Sequence, residues 1–223
     1  MELHTWLAFA AAFFVIALSP GSGAVLSMSH GLSYGVRRAS ATILGLQAGL
    51  LLVLLVAGAG VGSLLLASEL AFGVVKVAGA CYLIYVGLSQ WRARVETVPA
   101  AEHALPGAPV PTPSAQAGTW QKRFSTGFLT NATNPKSIVF MVAVLPQFMS
   151  DARPLWLQLV VMAVTSVALD ATVMHGYALG ASSLRRVLQS PRAQRNQNRV
   201  FGGVLMAVGA GLFFVRRSGS ALA

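Results

Sequence analysis

Residues 130–138, Thr-Asn-Ala-Thr-Asn-Pro-Lys-Ser-Ile, restrict this chain more than any others, because they interrupt a segment that is otherwise apolar. Proline inside a helix removes a backbone hydrogen bond and clashes with the preceding turn. In hydrocarbon an unpaired backbone group costs several kcal/mol, so such a break survives only where protein or water covers it. Asn134-Pro135 also reads as a helix start, with asparagine as N-cap and proline in the first helical position. The segment therefore predicts two half-helices with a polar joint. Ser19-Pro20-Gly21 repeats the pattern in the first apolar segment, with Pro20 opening the second half-helix. The two joints form the predicted functional centre.

Composition enters here as a test of the membrane reading. Of 223 residues, 55% are hydrophobic and 10% charged, where a soluble domain carries about a quarter charged residues. The formal net charge of +10 does not imply a nucleic-acid partner, because the basic residues lie in short stretches between apolar runs. Cys81 is the sole cysteine, which excludes an internal disulfide or a paired redox site; its apolar surroundings read as core packing. His4, His30, His103 and His175 lack metal-ligand spacing. No nucleophile with a base accompanies them, so no catalytic residue, metal or cofactor is expected.

A helical span needs roughly 20 largely apolar residues. Six segments qualify: 5–29, 41–66, 70–88, 124–148, 155–179 and 200–215. The fold expected is an all-α integral membrane protein with spans one and four broken. Residues 1–95 form a first three-helix unit and 122–223 a second. Residues 96–121, rich in Pro, Ala and Ser in their middle, form a flexible cytoplasmic linker. Arg37, Arg38, Arg92, Arg94, Lys122, Arg123, Arg185, Arg186, Arg192, Arg195 and Arg199 follow spans one, three and five, against Arg153, Arg216 and Arg217 on the other side. The positive-inside rule places the larger set in the cytoplasm and both termini outside.

The spacing Gly79-x7-Gly87-Leu88-x3-Arg92 in span three recurs as Gly203-x7-Gly211-Leu212-x3-Arg216 in span six, and the proline joints recur in spans one and four. With three spans per half, the second copy is inverted relative to the first, as in many secondary transporters. Gly45 and Gly49, like Gly58 and Gly62, have the Gly-x3-Gly spacing of close helix packing. A homodimer is one use for it.

These residues resemble the LysE/RhtB amino-acid exporters. Ser19-Pro20-Gly21, His30-Gly31-Leu32 and Gly35-Val36-Arg37-Arg38 resemble the first block of that family, and residues 76–88 its third hydrophobic segment. Gly127-Phe128-Leu129-Thr130-Asn131, Asn134-Pro135-Lys136 and Leu145-Pro146-Gln147-Phe148 carry the most specific similarity; Asp170 and Gly202-Gly203 also fit. Two places depart from the pattern. Ser22 and Gly23 stand where Pro-Asn usually follows, and Leu50 stands near an acidic position of the second span. The resemblance implies a multi-pass protein of the cytoplasmic (inner) membrane that exports amino acids or close analogues, driven by an ion gradient, here read as protons. Export of another small solute or ion on the same scaffold is the alternative.

Helix N-termini present unpaired N–H groups and partial positive charge, which suits a carboxylate. Ser19, Pro20, Gly21 and Gly23 at one joint, and Asn131, Asn134, Pro135 and Lys136 at the other, are the candidate substrate-binding residues. Asp170, the acid deep in a span, joins them. Intramembrane charges face the bundle interior and tend to pair. Asp170 can therefore neutralise Lys136, hold a substrate amino group or carry a proton. Gln47 and His175 are the remaining candidates for the cavity or a proton relay.

Overall fold

The structure, a computed structural model, describes residues 1–67, 69–92, 118–150, 153–181 and 191–214, and these contain helices and no strand. Most of the expected linker, the Arg185-Arg186 pair and the Arg216-Arg217 tail lie outside the described residues. The helices are α1 (Leu3–Leu18), α2 (Ser22–Tyr34), α3 (Val36–Ala67), α4 (Glu69–Arg92), α5 (Trp120–Ala132), α6 (Pro135–Val144), α7 (Leu155–Leu179) and α8 (Pro191–Phe214). A 3-10 turn, Leu145–Phe148, extends α6.

Among the described residues, α7 and residues 36–60 of α3 are each long and apolar enough to cross a membrane alone. Each has 25 residues, about 37 Å of helix against a hydrocarbon core of about 30 Å. The pair α1 and α2, bent by 57° at their junction, makes a third candidate span. Polarity is distributed as lipid demands. Leu44, Leu55, Val160 and Val164 are exposed, while Ser27, Thr42, Gln47, Asn131, Gln158, Ser166 and Asp170 are buried. Cys81 is exposed on α4, not in the core as expected. In lipid both faces of a helix are apolar, so hydropathy cannot tell which one packs inward.

Both predicted breaks occur. At the second, Asn134 is the N-cap of α6, its side chain accepts from Lys136 N at 3.0 Å, and Pro135 opens the helix. The first differs from expectation. Ser19 closes α1, its N–H donating to Ile16 O, and the N-cap of α2 is Gly21, so the helix begins after Pro20 and not with it. α2 ends on Gly35, whose φ of 75° lies in the left-handed region that glycine enters without a Cβ penalty.

The helix directions follow from which residues meet. α1 and α7 run the same way: Trp6 Nε1 donates to Thr165 Oγ1 (2.9 Å), and Tyr177 Oη to Leu18 O (2.6 Å). α3 and α5 also run together, with Gly45 against Phe124 and Gly49 against Phe128. α3 and α7 run oppositely, through Ser40 with His175 and Gln47 with Asp170. α4 and α8 are antiparallel, Gly87 lying on Gly202 and Gly209 on Ala80. Gly45 and Gly49 thus pack within the chain: a Cβ on Gly49 would stand 2.6 Å from Phe128 O.

Gln158 fastens the start of α7. Its Oε1 accepts from Ser150 N (2.9 Å), and its Nε2 donates to Ser150 O (2.7 Å) and Arg153 O (3.0 Å). The side chain is buried, and a net hydrogen bond contributes about 1 kcal/mol. Gln158→Ala is expected to destabilise the protein by about 2–3 kcal/mol, read as a lowered thermal midpoint of detergent-purified protein.

Candidate functional site

The two joints meet at a cavity of about 50 Å³. A water needs roughly 10–15 Å³ of such space, so it holds several waters. Ser19, Gly21, Gly23 and Ala24 line it from the first joint, and Asn131, Asn134, Lys136 and Ser137 from the second. Asp170 enters from α7. Leu46, Leu50, Phe13, Ile16, Phe140, Met141 and Met174 make the apolar wall.

The broken ends are satisfied by side chains from other elements, which is how a membrane protein keeps irregular backbone. Leu18 O accepts from Tyr177 Oη, and Ser19 O from Lys136 Nζ at 2.5 Å. Lys136 thereby links the joints, its ammonium at the carbonyl end of α1, where cations are favoured. At the second joint Asn131 is buried; its Nδ2 donates to Leu46 O (2.8 Å), and its Oδ1 accepts from Ser137 Oγ (2.7 Å). This fixes the end of α5 against α3 and the start of α6 against α5.

The two helix starts are not equivalent. No side chain caps α2, and its first turn closes with Val25 N donating to Gly21 O. The amides of Ser22, Gly23 and Ala24 therefore lack intrahelical acceptors. In α6 proline has no N–H, Asn134 takes that of Lys136, and Ile138 N donates to Asn134 O, which leaves Ser137 N. The α2 start thus presents more unpaired N–H groups than the α6 start.

Asp170 Oδ2 accepts from Gln47 Nε2 at 2.8 Å, and both side chains are buried. Gln47 Oε1 has no hydrogen-bond partner. Lys136 and Asp170 face the same cavity, and no ion pair of 4.0 Å or less joins them. The cavity therefore holds an amine and a carboxyl group that are not bonded to each other.

Seven of the expected binding residues, Ser19, Gly21, Gly23, Asn131, Asn134, Lys136 and Asp170, come together at this cavity. Pro20 and Pro135 do not line it and act by breaking the helices. Gln47 stands behind Asp170 as its donor. His175 points elsewhere on α7: Nδ1 contacts Ala171 O (2.8 Å) and Nε2 contacts Ser40 Oγ (3.2 Å). Sequence reasoning missed the Ser137 side chain and the apolar wall. Helical spacing carried part of the signal, since Met174 lies one turn from Asp170, and Leu50 one turn from Gln47.

A family model described as LysE type translocator matches residues 14–216. The chain is 41% identical over 210 residues to an uncharacterized membrane protein of Vibrio cholerae, covering 94% of this chain and 96% of that one. It is 37% identical over 218 residues to the homoserine/homoserine lactone efflux protein of Salmonella typhimurium, covering 98% and 100%. To the leucine efflux protein of Salmonella typhi it is 27% identical over 160 residues, covering 68% and 66%. No solved structure matches. Translocators of this type are membrane transporters and not enzymes. By the extent of these matches, the chain belongs to the LysE type translocator family.

Proposed function

We propose that this protein is a secondary exporter of amino acids or close analogues, with homoserine-like compounds first among them. One observation carries the reading: an uncapped helix start, Lys136 and Asp170 face one small cavity at the junction of two broken helices. A zwitterion suits it, with its carboxylate on the α2 amides beside Lys136 and its ammonium toward Asp170. The names of the full-length relative in Salmonella typhimurium and of the leucine efflux protein support the same class.

The architecture proposed is six spans in two inverted halves, 1–95 and 122–223, joined by a cytoplasmic linker over 96–121. Span one is α1 with α2, span four is α5 with α6, and α3, α4, α7 and α8 are spans two, three, five and six. Alternating spans require one and five to be parallel, two and four parallel, and two and five, and three and six, antiparallel. The observed directions support all four. Exchanging the halves maps the parallel pair one–five onto four–two, which supports the repeat. The basic loops support an inner-membrane orientation with both termini outside. In that orientation Phe13 with Phe140 (centroids 5.9 Å apart) and Phe9 with Phe148 (5.5 Å) close the cavity outward. Export requires these contacts to part. Asp170 exchanging its proton as the substrate ammonium arrives and leaves is the proposed link to the proton gradient.

The test is an export screen in cells fed dipeptides, with and without the gene. The expected result is external accumulation of homoserine or a similar amino acid severalfold above the control, abolished by a protonophore. If no amino acid accumulates, the cargo is another solute.

A further inference from the structure

The cavity has two chemically distinct parts, one polar and one apolar. Among the described residues its polar groups belong to the joints or to Asp170; the apolar wall includes Leu46, Leu50, Phe140, Met141 and Met174, with Gly23. Leu46 and Met141 are fully buried, and Leu50, Phe140 and Met174 nearly so. Wall residues this tightly packed change shape only at the expense of core contacts. Gly23 is the one wall position on α2 with no side chain, between α3 and α7. A Cβ there would stand 3.4 Å from Leu46 Cδ2 and 3.7 Å from Met174 Sδ. That is ordinary van der Waals contact, so a methyl group fits without moving the backbone and takes space from the cavity.

We infer that Gly23 sets the upper length of the substrate side chain, which must be uncharged and lie against Leu46, Leu50 and Met174. This rests on the zwitterion reading above. With the carboxylate on the α2 start and the ammonium toward Asp170, the substrate's remaining atoms meet apolar side chains. An additional charge there has no partner, and an unpaired buried charge is strongly disfavoured. Length is limited because the cavity is small, and one methylene in an apolar pocket discriminates by roughly 10–200-fold.

The test uses full-length protein in proteoliposomes and compares counterflow of alanine, homoserine, leucine and lysine. The expected wild-type order has the short uncharged side chains ahead and lysine last. Gly23→Ala is expected to lower the leucine-to-alanine transport ratio about tenfold, and Leu50→Ala, which enlarges the wall, to raise it by a similar factor. A ratio is informative because a purely structural defect lowers both rates together and leaves it in place. An unchanged ratio in both variants, or efficient lysine transport, overturns the inference while leaving amino-acid export standing. Absence of any amino-acid counterflow by the wild type overturns both.

Discussion

Valine in place of Gly127 is expected to prevent the chain from accumulating as a folded membrane protein. A Cβ at this position collides with Thr42 O and stands 3.0 Å from Leu46 N. Across the same crossing, a Cβ on Gly45 would stand 2.8 Å from Phe128 N, and one on Gly49 2.8 Å from Ala132 N. These are backbone-to-backbone contacts, so no rotamer change relieves an added methyl group; α3 and α5 must separate. Overpacking alone costs about 1–3 kcal/mol, occasionally more. Here separation would also stretch the bond from Asn131 Nδ2 to Leu46 O and open the wall of the cavity. The expected destabilisation exceeds about 3 kcal/mol, and Gly127→Ala should already show much of it. Gly176, beside which a Cβ meets nothing within 4 Å, is the control: Gly176→Ala should stay within about 1 kcal/mol of the parent. Fluorescence-detected gel filtration of membrane extracts, with thermal challenge, reads the series. A monodisperse, heat-resistant Gly127→Val protein would mean that α3 and α5 do not touch as described.

What the sequence makes legible depends on whether the governing physics is local. The breaks at Pro20 and Pro135 are local, since they follow from a missing N–H and a ring clash. So is the Asn134 cap, which needs only its own neighbours. The first joint shows the limit of that reasoning. Ser-Pro-Gly resembles Asn-Pro-Lys in composition, yet Ser19 is used to end α1, with its carbonyl held by Lys136 from the other half of the chain. Span ends are a second limit. Residues 155–179 coincide with α7, whereas α8 begins at Pro191, ahead of the apolar residues from 200 onward. Hydropathy marks where lipid ends, and a helix continues into water as long as its backbone bonds are made. Pro191 in the first position was the available signal. The rotation of each helix is the third limit. His175 and Asp170 share α7, but their bonds run to Ser40 and Gln47 respectively, and only the packing of α3 against α7 determines which of them faces the cavity.

Lys136→Met is expected to reduce export at least about 100-fold, or some 2.8 kcal/mol at about 1.4 kcal/mol per decade. The change removes the ammonium beside the α2 amides and leaves Ser19 O without its donor. It also leaves buried Asp170 facing the cavity without the half-buried ammonium opposite it, and removing one of two opposed charges is more harmful than replacing both. Asp170→Asn has the converse effect on Lys136, while Gln47 can still donate to the amide oxygen. The double variant Lys136→Met/Asp170→Asn restores neutrality but supplies neither group to a zwitterion. It should therefore melt nearer the parent than the sum of the single effects requires, with a coupling of roughly 0.5–3 kcal/mol, and still fail to export. That combination separates a structural pair from a transport pair. Additive stabilities would mean that the two charges do not sense each other across the cavity. Recovery of export along with stability in the double variant would mean that their attraction serves the fold and that the substrate's charges are bound elsewhere.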